Sequence, residues 1–143
     1  MVKIVYDQNL LKFMSVFESV AHARLRDALL EKISEQELLV FVVESGEIAK
    51  AIGARGSNVH RLEDIIKKKI KIVEWADDLP AFVQNLIYPA KASSIVVEDK
   101  KIMITPIDSK SRGMVIGRGG VMLRFYERIV SRYVVCEEIK VLG

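Results

Sequence analysis

Two short glycine loops hold the residues of this 143-residue chain that could most readily bind a ligand. The first is Gly-Ala-Arg-Gly at positions 53–56, and the second is Gly-Arg-Gly-Gly at positions 117–120. Glycine lets another backbone approach closely. Each loop leads into a predicted helix, whose N-terminus has unpaired N–H groups and the positive end of the helix dipole. A phosphate group suits such a helix end, and Arg55 and Arg118 add a positive charge to each loop.

Basic residues surround the loops. A single glycine pair is only a weak signal of ligand binding, because such pairs end many helices. Two copies, each with an arginine inside and an isoleucine immediately before, are a stronger signal. Neither loop continues into the Gly-Lys-Ser/Thr sequence of a nucleotide-hydrolysing P-loop. We predict that two other basic groups, Lys67-Lys68-Lys69 and the helix face of Arg124, are solvated surface. The basic residues near the loops are Lys50, Arg61, Lys110, Arg112 and Arg124.

The elements that would position the loops are predicted twice in one order. Each half reads helix, strand, strand, short helix, glycine loop, longer helix, strand. The glycines of the two loops are 64 residues apart (117 − 53 and 120 − 56), and the same shift takes Val40 to Ile104 and Leu62 to Tyr126. Apolar positions therefore coincide across strand, loop and helix, with a few extra residues after the second long helix. The sequence predicts an internal duplication, with domains at residues 1–75 and 76–143.

Several details of this pattern can be checked against a structure. Asp7 and Asp78 are predicted to cap the first helix of each half. The second longer helix is predicted over residues 121–134, and a hairpin turn is predicted at residues 98–100. Tyr126 and Tyr133 are predicted to be core residues. The first longer helix is predicted to bury one apolar face formed by Val59, Leu62, Ile65 and Ile66.

The loops and their flanking residues resemble a known family. The pattern aliphatic-Gly-x-x-Gly-x-x-aliphatic, present as IGARGSNV and IGRGGVML, resembles the KH RNA-binding module. In that module the Gly-x-x-Gly loop clamps four backbone nucleotides. The element order resembles the type II form, in which a helix and a strand precede the strand–helix–helix–strand unit. The resemblance implies an α+β fold of two tandem type II KH modules, each a three-stranded mixed sheet packed against three helices.

Two such modules with almost nothing else resemble the archaeal NusA-like family of transcription termination and antitermination factors. The resemblance covers essentially the whole chain and implies binding in a groove between the helices of the loop and the edge of the sheet. In the second loop Gly119 adds a third glycine, and Val121 and Met122 replace the polar Ser57 and Asn58. The implied RNA-binding residues are Gly53, Ala54, Arg55, Gly56, Gly117, Arg118, Gly119, Gly120, Ile52, Ile116, Lys50, Ser57, Asn58 and Arg61.

The implied function is binding of single-stranded RNA during transcription, with RNA polymerase as a second candidate partner. An enzyme is not predicted, because His22 and His60 are far apart in sequence and the acidic pairs are adjacent residues, which point apart on a helix. The single Cys136 excludes a multi-cysteine metal site within one chain, and no metal, cofactor or small-molecule substrate is expected. No apolar run approaches the ~18 residues of a membrane span. With no secretory pattern at the N-terminus, the prediction is a cytoplasmic protein without a membrane partner.

Two alternatives remain open. A KH fold could serve as a protein-interaction scaffold on RNA polymerase or the ribosome, with little RNA affinity; acidic loop residues would favour that role, whereas both loops contain arginine. A ribosome-assembly KH protein is the other alternative. Such a protein is expected to show type I order, with the extra strand and helix after the core unit.

Overall fold

The fold consists of two three-stranded mixed sheets and six α-helices in the part of the chain that the structure describes. A computed structural model describes Ile4 and residues 6–143. Of the described residues, 6–76 form one compact unit, and residues 4 and 77–143 belong to the other. The predicted α+β class is confirmed. Across the described residues, no helix is both long enough and apolar enough to cross a bilayer.

The first unit follows the predicted order of elements. Asp7 caps the first helix, and its carboxylate accepts a hydrogen bond from the N–H of Leu10 at 2.8 Å. Strands β1 and β2 are antiparallel around the two-residue turn Ser34-Glu35, and β3 pairs in parallel with β2. The elements are α1 (Gln8–Ala21), β1 (Leu25–Ile33), β2 (Gln36–Val43), α2 (Ile48–Ile52), α3 (Ser57–Ile66) and β3 (Lys69–Glu74).

The helices of this unit pack on one face of the sheet. The rings of Phe17 on α1 and Phe41 on β2 lie 4.5 Å apart at the centre of the core. Leu62 of α3 is fully buried, but Ile65, predicted on the same face, is 53% exposed. At roughly 100° per residue, Val59, Leu62 and Ile66 fall within a narrow arc, and Ile65 lies beyond its edge. The prediction for Ile65 was therefore wrong because the apolar stripe is narrower than the sequence indicates.

The lysine run after α3 was predicted to be a solvated helix end, and Lys67 and Lys69 are exposed as predicted, whereas Lys68 is partly buried. Lys67 ends the helix in a left-handed conformation, with φ of 64°. Lys68 Nζ lies 2.8 Å from Glu37 Oε1 at the start of β2, and its side chain is only 22% exposed. Lys69 begins β3. The run therefore connects α3 to the sheet, and its middle residue is an ion-pair partner.

The second unit repeats the order. The Asp78 carboxylate caps its first helix by accepting from the N–H of Ala81 at 3.0 Å, and the hairpin turns at Asp99-Lys100. Tyr126 is buried as predicted, while Tyr133 is partly buried with its ring edge-on to Phe82 at 5.6 Å. The last helix is shorter than predicted. The elements are α4 (Leu79–Ile87), β4 (Ala92–Glu98), β5 (Lys101–Pro106), α5 (Ser109–Ile116), α6 (Val121–Ser131) and β6 (Glu138–Val141).

One polar contact recurs at the position expected from the 64-residue shift. Glu63 on α3 accepts a hydrogen bond from the N–H of Ile70 at 3.2 Å, near the start of β3. Its counterpart Glu127 on α6 accepts from the N–H of Ile139 at 2.9 Å, near the start of β6. The extra residues of the second copy lie between these elements, where 132–137 replace the shorter 67–68. The glutamate therefore ties helix to strand in both copies, whatever the length of the connection.

Candidate nucleic-acid interface

The two glycine loops have nearly the same backbone. Gly53 ends α2 with φ 78° and ψ 173°, and Gly117 ends α5 with φ 72° and ψ 174°. Gly56 and Gly120, which precede α3 and α6, have φ/ψ of 75°/18° and 82°/11°. All four glycines have positive φ, which glycine adopts without steric cost. The equal spacing of the glycines in the two loops thus corresponds to the same backbone conformation between two helices.

The middle of each loop forms a short turn with an unusual third residue. Arg55 has φ 55° and ψ 30°, and Gly119 at the matching position has φ 64° and ψ 18°. A non-glycine residue with positive φ is uncommon. The residue before it, Ala54 or Arg118, has a helical conformation. A right-handed residue followed by a left-handed one turns successive N–H groups toward one concavity, which suits an anion.

The two loop arginines occupy different positions. Arg55 is the third residue of its loop and matches Gly119, whereas Arg118 is the second residue and matches Ala54. Both side chains are exposed. The two loops therefore carry their guanidinium groups at neighbouring positions of equivalent backbones. The shared Gly-x-x-Gly pattern does not show this difference.

Polar residues surround the first loop. Asn58 Nδ2 donates to the carbonyl oxygen of Lys50 at 3.1 Å and so links the start of α3 to α2. The same side chain packs against Gly53, since a Cβ there would lie 2.9 Å from Asn58 Cγ. Ser57, Lys50 and Arg61 are exposed, and Ile52 is partly buried. Asn58 thus helps to hold the loop, while the predicted basic residues remain accessible.

Apolar residues surround the second loop, as the sequence indicates. Met122 takes the place of Asn58: a Cβ on Gly117 would lie 2.6 Å from Met122 Cγ and 2.8 Å from its backbone nitrogen. Val121, Met122 and Ile116 are partly buried, whereas Arg118 and Gly119 are exposed. Gly117 therefore lies against the backbone of α6, whereas Gly53 lies against side chains of α3.

Two arginines near the second loop make contacts within the protein. Arg124 Nη1 lies 2.7 Å from Glu127 Oε1, and this hydrogen bond raises the pKa of Arg124 above its usual value. Arg112 Nη1 donates to the carbonyl oxygen of Leu142 at 3.1 Å. Arg118 is thus the basic residue that the second loop itself presents.

One neighbour of the first loop was not among the predicted site residues. A Cβ on Gly56 would lie 3.7 Å from His60 Nε2, so the exposed imidazole borders the loop. The spacing of four residues along α3 could have indicated this, because such residues share a helix face. The described residues contain no group of three or more His, Cys, Asp or Glu side chains placed to hold a metal ion.

Comparison with known proteins identifies related sequences over most of the chain. No family model matches it. A "Probable transcription termination protein NusA" from Methanocaldococcus jannaschii is 30% identical over 129 residues, covering 88% of this chain and 68% of that protein. The protein of the same name from Methanococcus vannielii is 30% identical over 133 residues, covering 91% and 75%. The one from Halococcus morrhuae is 26% identical over 140 residues, covering 96% and 98%.

A solved structure has a similar fold. The crystal structure of APE1850 superposes with a TM-score of 0.78 at 25% identity, covering 96% of this chain and all of that one. The sequence and structural similarities extend over both units and both glycine loops. On this evidence the chain belongs to the family of archaeal proteins named as probable transcription termination protein NusA.

Proposed function

We propose that the chain binds single-stranded RNA through both glycine loops and acts in transcription termination and antitermination. In this proposal residues 1–75 and 76–143 are tandem type II KH modules. The observation that carries it is the matching backbone of the two loops, each placed before the N-terminus of a helix. The names of the related proteins support the role in transcription.

The loop backbone supplies the proposed phosphate contacts. The N–H groups of Gly56 and Gly120 donate to the carbonyl oxygens of Gly53 and Gly117 at 3.2 Å. The proposed contacts therefore come from the N–H groups of the second and third loop residues and from the starts of α3 and α6, where the helix dipole is positive. The guanidinium groups of Arg55 and Arg118 engage phosphates beside them. Because N–H groups contact phosphate and not base, the loops fix the strand without reading its sequence.

The surface next to each loop accepts the bases in this proposal. Ile52 and Ile116 immediately precede the loops and offer apolar contact to unstacked bases. In the first module Lys50 and Arg61 add positive charge, while Ser57 and Asn58 offer polar atoms. The second module presents Val121 and Met122 instead. We expect modest sequence preference, contributed mainly by the more polar first module, and no required metal or cofactor. RNA polymerase is the proposed protein partner, in the cytoplasm.

Salt dependence gives a quantitative expectation. A single strand contributes a slope of about −0.7 in log affinity against log salt for each phosphate that a lysine or arginine neutralises. The four proposed basic residues, Lys50, Arg55, Arg61 and Arg118, therefore predict a slope of at most about −3 for the whole chain. Two linked sites on one strand also bind more tightly than either alone, by about 10² to 10⁴ where both can engage.

Fluorescence anisotropy of a labelled single-stranded RNA pool, at several salt concentrations, tests the proposal. The loop variants are Ala54→Asp/Arg55→Asp and Arg118→Asp/Gly119→Asp. Aspartate tolerates the left-handed conformation of the third loop position better than most residues. The charge-matched control is Lys32→Asp/Ser34→Asp at the β1–β2 turn. Each double change lowers the net charge by three, because a basic residue becoming Asp counts two and a neutral one counts one.

The control position is remote from the first loop within its own unit. Leu38, beside the hairpin turn, pairs with Lys69, which follows the C-terminal end of α3. The glycine loop lies at the opposite end of that ten-residue helix, about 15 Å away at 1.5 Å per residue. A general loss of positive charge would weaken the control and the loop variants alike.

The proposal expects each loop variant to reduce the salt slope by about 0.7, for the one arginine removed, and to lose at least about tenfold in affinity, while the control stays near wild type. Circular dichroism verifies that all variants are folded. If only one loop variant loses RNA affinity, RNA binding would be assigned to the module of that loop alone. A wild-type chain that binds no RNA in the pool would refute RNA binding and favour the protein-scaffold alternative.

A further inference from the structure

The imidazole of His60 lies against the last glycine of the first loop. A Cβ added to Gly56 would lie 3.7 Å from His60 Nε2 and 3.8 Å from its Cδ2, so the edge of the ring that carries Nε2 faces the loop. The residue is also exposed to solvent. Among the described residues its side chain has no hydrogen bond or ion pair. His60 therefore has a hydrogen-bonding capacity that the described part of the protein does not use.

The position of His60 on α3 places it toward the edge of the sheet. Glu63 follows it by three residues and lies one turn further along the same side of the helix. The Glu63 carboxylate accepts from the N–H of Ile70 at the start of β3, and β3 is the last strand in the order β1-β2-β3. An RNA strand that leaves the loop along α3 toward β3 therefore passes the imidazole.

The second loop lacks a matching side chain. The 64-residue shift takes His60 to Arg124, whose Nη1 lies 2.7 Å from Glu127 Oε1. A Cβ added to Gly120 meets no described atom within 4 Å, so no described side chain packs against the last glycine of that loop. In the part of the chain that the structure describes, only the first loop has a histidine at this place.

The charges around His60 are of both signs. The elements that contact α3 are α1, α2, the first loop and β3. Histidine is the side-chain type whose charge ordinarily changes between about pH 5 and 8, unlike lysine, arginine, aspartate and glutamate. The charged residues on these elements are Arg61, Glu63 and Asp64 on α3, Arg55 in the loop, Lys12 and Glu18 on α1, Lys50 on α2, and Lys69, Lys71 and Glu74 on β3.

We propose that His60 is an additional phosphate contact of the first loop and makes RNA binding by this module depend on pH. The inference rests on the proposed function of the loops. The protonated ring donates from Nε2 to an oxygen of a phosphate held beside Gly56 and adds one positive charge to the site. The neutral ring has a single N–H donor and no charge. RNA binding therefore strengthens as the pH falls from 8.0 to 5.5, through the first module.

Fluorescence anisotropy of the labelled single-stranded RNA pool, at pH 8.0 and 5.5 and at several salt concentrations, tests this inference. His60→Asn removes the titrating ring and keeps a polar side chain, and His60→Arg supplies a permanent charge. The matched control is His22→Asn. His22 is the only other histidine of the chain and lines a different surface hollow, with Glu18, Arg24 and Glu44. Asparagine tolerates its φ of 54° better than most residues.

The wild type and His22→Asn should bind RNA about threefold more tightly at pH 5.5 than at pH 8.0, as expected for one exposed charge pair. Their salt slope should steepen by about 0.7 at the lower pH, for one further phosphate neutralised. His60→Asn should show neither change. His60→Arg should bind at pH 8.0 about as tightly as the wild type does at pH 5.5, with the same affinity at both pH values.

Several results overturn the inference while RNA binding by the loops stands. They are a wild type that binds RNA equally at both pH values, a pH dependence that persists in His60→Asn, and one that is lost in His22→Asn. A wild type that binds no RNA at either pH refutes both this inference and the proposed function. Thermal unfolding by circular dichroism at both pH values verifies that each variant is folded.

Discussion

Alanine substitution should distinguish two kinds of glycine in the proposed RNA-binding loops. Gly53 and Gly117 combine φ near 75° with ψ near 173°, a region that is essentially restricted to glycine. A side chain forced into such a conformation costs about 1–3 kcal/mol. Gly119 instead has φ 64° and ψ 18°, and Arg55 shows that a residue with a Cβ can occupy the matching position. Left-handed helical geometry costs only about 1–2 kcal/mol.

Steric contacts of the added Cβ increase this conformational cost by different amounts at the three glycines. A Cβ on Gly117 would lie 2.8 Å from the backbone nitrogen of Met122, so α6 itself must move. A Cβ on Gly53 would meet side-chain atoms of Ser57 and Asn58 at 2.8–2.9 Å, and these can rotate. A Cβ on Gly119 meets no described atom within 4 Å. We expect losses of about 4 kcal/mol for Gly117→Ala, 2–3 kcal/mol for Gly53→Ala and 1 kcal/mol for Gly119→Ala.

Urea unfolding followed by circular dichroism measures these differences, with an unchanged slope indicating that the transition remains comparable. Gly113→Ala is the matched control. That glycine lies within α5, where a Cβ meets no described atom within 4 Å, so alanine should stabilise the helix by about 0.5–1 kcal/mol. Equal losses for Gly117→Ala and Gly119→Ala would refute the reasoning, and so would a Gly117→Ala protein as stable as wild type.

Three further predictions concern stability. Burial raises the pKa of Tyr126 to about 12, so the folded state favours the neutral phenol. The stability gained from the neutral phenol is present below about pH 10 and is lost as the pH rises toward 12. Between pH 9 and 11, the free energy of unfolding in urea should therefore fall by about 1 kcal/mol more for wild type than for Tyr126→Phe. Glu127→Ala leaves the N–H of Ile139 without this acceptor and should cost about 1–2 kcal/mol by the same assay; a loss below about 0.5 kcal/mol would contradict the assigned role. Asn58→Ala removes the hydrogen bond to Lys50, with an expected loss of about 0.5–1.5 kcal/mol, and hydrogen exchange should show faster opening at the end of α2.

The order of elements could be predicted because each depends on a local signal. Asp7 and Asp78 precede apolar helices, and both carboxylates cap them in the structure. Each hairpin was recognisable from two apolar runs separated by a few polar residues. The 64-residue shift holds from the glycine loop through the longer helix, but it was wrong for the strands, because the hairpin turns at Ser34-Glu35 and Asp99-Lys100 are 65 residues apart (99 − 34). Because the order of elements repeats, a weak prediction in one half was supported by the same prediction in the other half.

The errors occurred where neighbours in space decide the outcome. Periodicity placed Ile65 on the apolar face of α3, but it does not give the width of the face that the sheet covers, and the matching Ile129 is fully buried. Lys68 belongs to a charge run, yet its partner Glu37 is distant in sequence. The link between Asn58 and the carbonyl of Lys50 depends on how two helices cross. Such contacts can be identified only in a structure, because no local sequence pattern predicts them.

Comparison of the two copies separates what the loop geometry requires from what can vary around it. The glycine dihedral angles and the contact from Glu63 or Glu127 recur, whereas the arginine shifts by one loop position between Arg55 and Arg118. If phosphates bind as proposed, the backbone N–H groups make the position-dependent contacts, and the flexible guanidinium contributes charge from either site. Moving the arginine within the first loop, by Ala54→Arg/Arg55→Gly, should therefore keep RNA affinity within about threefold, whereas removing it should not. A large loss in that variant would show that the arginine position, and not only its charge, is part of the site.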